Sequence, residues 1–192
     1  MIANVNVALM GHVDAGKTSI ARALSAAHSP STASFDRSPQ STQRGITLDL
    51  GFSAFPLPGP SDRQCTLVDC PGHAALFRMV LGAGSIVDAV VLVVDAAAGV
   101  QTQTAECIVL CAVLRRPVIV CLNKVELVGD RERLDSLRVR IQRVVERPLA
   151  VIEVSAKTGL GIDKLVETIA ALPENGHDNA TSPLLLVIDH AF

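Results

Sequence analysis

Gly11-His12-Val13-Asp14-Ala15-Gly16-Lys17-Thr18 follows the spacing G-x-x-x-x-G-K-[ST]. Residues of these types at this spacing form a phosphate cradle. Gly11 and Gly16 free the backbone to curl, so that successive N–H groups converge on phosphate oxygens. The N-terminus of a following helix adds partial positive charge. Lys17 is placed to reach β- and γ-phosphates, and the Thr18 hydroxyl to bind Mg²⁺. The context agrees. The apolar alternating run Val5-Asn6-Val7-Ala8-Leu9-Met10 reads as a strand leading in, and residues 19–24 read as a helix leading out.

Three further constellations sit at the ends of apolar runs. Cys65-Thr66-Leu67-Val68 reads as a strand that ends on Asp69. An Asp there fits the metal-side carboxylate of a nucleoside triphosphatase, the alternative being a helix N-cap or turn residue. Pro71-Gly72 turns the chain, and the Gly72 N–H has no Cβ to keep it from a γ-phosphate. The run at 117–122 delivers Asn123-Lys124-Val125-Glu126, and the strand at 149–154 delivers Ser155-Ala156-Lys157-Thr158-Gly159.

The elements that must position these groups alternate between strand and helix. Ala89-Val90-Val91-Leu92-Val93-Val94 is nearly all β-branched, as expected of a strand buried on both faces. Helices are expected over 74–85, 102–115, 130–146 and 162–172. Residues 56–62 read as a hairpin connection between strands at 48–52 and 65–68. This alternation predicts an α/β sheet covered by helices on both faces, with ligand at the carboxyl ends of the strands. The helix at 130–146 carries Arg131, Arg133, Arg138, Arg140 and Arg143 opposite apolar Leu134, Leu137, Ile141, Val144 and Val145. Its basic side reads either as a solvated face or as a contact for RNA. Residues 28–46 are polar, rich in Pro and Ser, and without periodicity. They read as a surface insertion or as a segment that orders on nucleotide and Mg²⁺.

Apolar residues make up 49% of the 192 and aromatic residues 3%, with no Trp or Tyr, so the core must be aliphatic. A net charge of −2 leaves no nucleic-acid footprint at whole-chain level. The most apolar stretch, 86–100, is interrupted by Asp88 and Asp95 and is too short to span a bilayer. No membrane partner and no signal peptide are expected. Cys65, Cys70, Cys107, Cys111 and Cys121 form no C-x-x-C pair. They are expected as buried free thiols in a reducing cytoplasm.

Taken together, these motifs resemble the translation-factor GTPase family. Gly11 to Thr18 is similar to its phosphate loop, Arg44-Gly45-Ile46-Thr47 to its first switch, and Asp69-Cys70-Pro71-Gly72-His73 to its second. Asn123-Lys124 and Ser155-Ala156-Lys157 are similar to its two guanine-contact motifs. The resemblance covers residues 1 to about 172. Leu48-Asp49-Leu50-Gly51-Phe52, Gln101-Thr102-Gln103 and Val187-Ile188-Asp189-His190-Ala191-Phe192 resemble the eukaryotic selenocysteine-specific branch.

The resemblance implies a P-loop NTPase G domain over 1–174, with a mostly parallel six-stranded sheet and one antiparallel hairpin strand. A linker at 175–183 and the first strand of a truncated β-barrel at 184–192 would follow. Asp14, Ala15, Gly16, Lys17 and Thr18 would hold the phosphates and Ser19 the α-phosphate. Thr18 and Thr47 would ligate Mg²⁺, with Asp69 acting through a water. His73 would orient the attacking water behind an apolar gate of Val13 and Ile46, and Asp14 would help place a monovalent cation. Asn123 and Lys124 would frame the guanine of GTP or GDP, with Ser155 and Lys157 flanking Ala156, whose N–H would meet O6. The implied partners are the ribosome, selenocysteinyl-tRNA and, through missing domains, a SECIS-binding protein. This stretch alone would be monomeric. A general aminoacyl-tRNA carrier and a GTP-sensing module with negligible turnover are the alternatives. One departure stands out: the family motif is N-K-x-D, and here the fourth residue is Glu126. Glu keeps both acceptors but adds a methylene, which implies guanine preference at reduced affinity.

Overall fold

The computed structural model describes residues 3–28, 51–59, 62–69 and 87–173. The elements run β1 (Ala3–Gly11), α1 (Lys17–His28), β2 (Gly51–Pro56), β3 (Arg63–Asp69), β4 (Ala89–Asp95), α2 (Thr102–Leu114) and β5 (Val118–Asn123). A one-turn 3-10 helix (Val125–Leu127), α3 (Arg131–Val144), β6 (Ala150–Glu153) and α4 (Ile162–Ala170) complete them. The six strands form one sheet in the order β2-β3-β1-β4-β5-β6. β2 pairs antiparallel with β3, and every other pairing is parallel. The expected α/β architecture is therefore the observed one.

The reason lies in the period-2 alternation of the strands. In β4, Ala89, Val91 and Val93 enter one core while Val90, Leu92 and Val94 enter the other. β1 divides the same way, Val5, Val7 and Leu9 against Ala8 and Met10. The first core is closed by Ile20, Ala21 and Leu24 of α1 and by Ile162, Leu165, Val166 and Ile169 of α4. The second is closed by Cys107, Leu110 and Cys111 of α2 and by Leu134, Leu137 and Ile141 of α3. Each buried Val or Leu contributes roughly 1.5–3 kcal/mol, so two aliphatic layers suffice without Trp or Tyr.

Four details differ from the sequence expectations. β2 runs on to Pro56, because Phe55 is buried in the first core and extends the pairing with β3. α3 begins at Arg131, with the Asp130 carboxylate accepting the Glu132 N–H at 2.9 Å as its N-cap. Val144 is 55% exposed rather than inward; the apolar stripe passes through Ile141 and Val145 instead. Three arginines of α3 are tied to their own domain. Arg131 and Arg138 grip Glu153 of β6 at 2.7 and 3.1 Å, and Arg133 donates to Ala97 O at 2.7 Å. Arg140 and Arg143 stand exposed. The helix expected at 74–85 and the strand expected at 184–192 lie outside the described residues, as does the long segment at 29–50.

Cys65, Cys107, Cys111 and Cys121 are free and buried, while Cys70 lies outside the described residues. Burial pushes the Cys111 thiol from 9.0 up to about 12. It raises Cys121 further, and Cys65 with added repulsion from Asp88. Iodoacetamide at mildly alkaline pH is expected to leave all four unmodified in the folded chain and to label all four in denaturant, read by peptide mass spectrometry. The fold keeps these thiols protonated where the unfolded chain ionises them. Stability is therefore expected to fall as pH rises between 9.0 and about 12, as a declining denaturation midpoint.

Candidate functional site

The site is built where strands end. β1 stops at Gly11, β3 at Asp69, β4 at Asp95 and β5 at Asn123, and the parallel pairing brings these carboxyl ends to one edge of the sheet. Leu9 lies opposite Asp69, Gly11 opposite Val93 and Asp95 opposite Asn123.

The loop after β1 has the backbone that a phosphate cradle needs. Gly11, Asp14 and Gly16 all have positive φ, at 146°, 62° and 92°. A side chain on Gly11 would run into the carbonyl oxygen of Val93. The Lys17 side chain crosses back under the loop, and its ammonium donates to Gly11 O and His12 O at 3.0 Å each. This places a buried positive charge beside the first residues of the loop. The Val13 N–H is held from outside by Gln103 Oε1 of α2 at 2.9 Å, and the Ile20 N–H closes the first turn of α1 on Gly16 O at 2.9 Å.

Thr18 and Asp69 meet. The Thr18 hydroxyl donates to Asp69 Oδ2 at 2.6 Å, and Asp69 is only 1% exposed. A hydroxyl and a carboxylate make a hard-oxygen donor pair suited to Mg²⁺. Among the described residues no cluster of three or more His, Cys, Asp or Glu could hold a metal.

The second half of the site is governed by one amide. Asn123, at the end of β5, is 2% exposed. Its Nδ2 donates to Ala15 O at 2.9 Å, and its Oδ1 accepts the Ala156 N–H at 3.2 Å. The phosphate loop and the Ser155–Lys157 segment are thus joined through a single side chain. A Cβ on Gly16 would collide with Asn123 Nδ2, so Gly16 is required by this packing as well as by its φ. Ser155 is fully buried, and its Oγ accepts the Thr158 N–H at 3.1 Å. Lys124 follows Asn123 with a positive φ of 62°, and its ammonium pairs with Asp95 Oδ2 at 2.8 Å. Burial opposes ionisation of Asp95. The Lys124 hydrogen bond and the N–H groups of Ala98 and Ala97 outweigh it and hold the carboxyl below its usual value.

The structure therefore brings together Asp14, Ala15, Gly16, Lys17, Thr18, Asp69, Asn123, Lys124 and Ala156. Ser19 and Lys157 are exposed beside them, and Glu126 is exposed in the 3-10 turn after Lys124. Thr47, Gly72 and His73 lie outside the described residues. In the sequence Asp95 stands out only as a break in an apolar stretch and Gln103 only within a family-like run, and neither is given a role at the site. The signal for Asp95 was its place at the carboxyl end of a buried strand, the position that had already singled out Asp69 and Asn123.

A family model described as the elongation factor Tu GTP binding domain matches residues 3–174. The chain is 42% identical to the selenocysteine-specific elongation factor of Mus musculus and 41% identical to that of Methanocaldococcus jannaschii, over 98% of this chain in both cases. It spans 36% and 40% of those two relatives. Among solved structures, it is similar to translation elongation factor SelB from Methanococcus maripaludis in complex with the GTP analogue GppNHp. That likeness has a TM-score of 0.72 at 32% identity, over 91% of this chain and 34% of that one. A bacterial selenocysteine-specific elongation factor also gives a TM-score of 0.72, at 28% identity over 90% of this chain and 29% of that one.

Asn123→Ala would leave Ala15 O and the Ala156 N–H without their side-chain partner. A buried polar group left unsatisfied costs about 1–3 kcal/mol. The thermal midpoint is expected to drop by several degrees in a domain of this size, read by circular dichroism.

Proposed function

The chain belongs to the elongation factor Tu GTP-binding-domain family, and on that footing we propose that it binds GTP and GDP with Mg²⁺, hydrolyses GTP, and serves a protein that carries selenocysteinyl-tRNA to the ribosome. The observation that carries this reading is the Asn123 amide, which joins the phosphate loop to the Ser155–Lys157 segment. A triphosphate at the first loop then has its base directed to the second.

The proposed roles are as follows. The backbone of residues 14–18 and the Lys17 ammonium bind the phosphates. The position of Lys17 against Gly11 and His12 supports a γ-phosphate end of the site at residues 11–13. Thr18 and Thr47 are proposed to ligate Mg²⁺, with Asp69, which accepts the Thr18 hydroxyl, acting through a water. When bound, the ion neutralises charge on the β- and γ-phosphates. The Ala156 N–H is held by Asn123 at 3.2 Å, a long bond from which a guanine O6 can draw it. Asn123 and Lys124 frame the base, Ser155 and Lys157 flank it, and Glu126 accepts from its N–H groups. His73 orients the attacking water. Asp14 is proposed to help hold a monovalent cation near the phosphates. Catalysis of this kind is positioning and charge stabilisation, and ordering of His73 by the ribosome is proposed to raise its rate. Delivery of selenocysteinyl-tRNA and contact with a SECIS-binding partner belong to parts of the longer protein.

Equilibrium titration with GTP, GDP, ATP and XTP in Mg²⁺ tests the reading. Guanine nucleotides are expected to bind far more tightly than ATP or XTP, and equal binding of all four would overturn it. Glu126→Asp is expected to tighten GTP and GDP by about tenfold, worth roughly 1.4 kcal/mol, and to leave ATP unchanged. Unchanged or weakened guanine binding would show that the longer side chain already fits.

A further inference from the structure

Asp95 is a carboxylate that the phosphate and metal chemistry does not use, yet its own turn and a lysine hold it closely. It ends β4, opposite Asn123 in the register with β5. Its Oδ1 accepts the N–H groups of Ala97 and Ala98 at 2.8 and 3.0 Å. Its own carbonyl accepts the Gly99 N–H at 2.8 Å. The turn is pinned a third time by Arg133, which donates to Ala97 O at 2.7 Å. The carboxylate is 15% exposed, and its remaining oxygen, Oδ2, meets the Lys124 ammonium at 2.8 Å.

Lys124 is the other half of the argument. Its backbone is in the left-handed region, and its stem passes the phosphate loop: Lys124 Cε lies 4.0 Å from the point where a Cβ on Gly16 would stand. The lysine is thus stretched from β5 past Gly16 to Asp95. An exposed ion pair contributes little, because two flexible side chains must be ordered to form it. Here the carboxylate is fixed in advance by its turn, so only the lysine is ordered.

We infer that Asp95 is a positioning residue for base recognition: it fixes the Lys124 stem beside Gly16, so that one wall of the base pocket stands before nucleotide arrives. The inference rests on the guanine-site reading above and adds to it a residue that touches neither phosphate nor base. Preorganisation of this kind lowers the cost of binding, because the side chain is not ordered at the moment of association.

Asp95→Asn separates the two roles of the residue. The Asn Oδ1 still accepts the Ala97 and Ala98 N–H groups, while the charge that holds Lys124 is gone. In the 192-residue chain, titration calorimetry with GDP is expected to show a Kd raised about tenfold in D95N. Lys124→Met, which keeps the stem and loses the ammonium, is expected to weaken GDP similarly. In the K124M background D95N should add less than about twofold, since coupled residues are non-additive. Equal increments in both backgrounds would mean that Asp95 only holds its turn, and would overturn the inference. A second readout does not depend on the cycle. The Lys124 ammonium signal in lysine-labelled, GDP-bound protein is expected to be resolved in the parent and lost in D95N, and its persistence in D95N would equally overturn the inference. Asp95→Ser, which also accepts the turn N–H groups, replaces D95N should that variant not fold. A parent chain that binds ATP as tightly as GDP would remove the guanine-site reading itself. A guanine-selective parent without coupling removes the role of Asp95 alone.

Discussion

The architecture of the site depends on a buried amide. A side-chain amide offers one acceptor and two donors in a fixed plane, and Asn123 directs them to two loops more than a hundred residues apart in the chain, at Ala15 and Ala156. Its main chain adds a third tie, because Asn123 O accepts the Ala96 N–H at 2.8 Å. The phosphate loop, the turn after β4 and the segment after β6 are thereby referred to one residue on an inner strand. With so little exposure, Asn123 has no water to fall back on, and its partners must be kept.

The sheet makes this economy possible. Parallel strands deliver their carboxyl ends to the same edge, and each end here carries a different piece of chemistry: glycine on β1, carboxylates on β3 and β4, an amide on β5. The two cations of the site are treated differently. Lys17 is buried, and its ammonium donates to two main-chain carbonyls at the head of the phosphate loop. Lys124 is matched by a carboxylate, which suits a residue that works through its stem. The helices act on the site from behind. Gln103 of α2 reaches the phosphate loop at Val13, and Arg133 of α3 reaches the turn at Ala97.

Much of this was legible in the sequence, for a physical reason. Strands buried on both faces are written as β-branched runs, and β4 and β5 could be located to within a residue. Groups at strand ends stand out because the apolar run stops on a polar residue, as at Asp69 and Asn123. The illegible parts are contacts between elements. Asp95 and Lys124 are 29 positions apart, and only the register of β4 against β5 makes them neighbours. The Gln103 bond to Val13 spans 90 positions. Arg131 and Arg138 of α3 read as part of a basic face until β6 supplies Glu153 beneath them. Val144 fits the helical period yet stands 55% exposed, one position short of Val145, which together with Ile141 enters the core. Local pattern reports which face is apolar, and only packing reports where that face stops.

The strand order also sets a schedule. β1 lies between β3 and β4, with Ala3 opposite Arg63 and Val7 opposite Ala89. Among the described strands, β1 precedes the others in the chain, yet it is an inner strand of the sheet whose partners are made much later. Until residues 63–69 and 89–95 have left the ribosome, the apolar stretch Val5 to Met10 has no sheet to join and α1 has no core to cover. Both of its pairings close long loops, whose entropy must be met before any contact rewards it. Cotranslational folding of this domain thus waits on its middle third. The phosphate loop, which precedes both in the chain, takes its shape only after Val93 has arrived beside Gly11 and Asn123 beside Gly16.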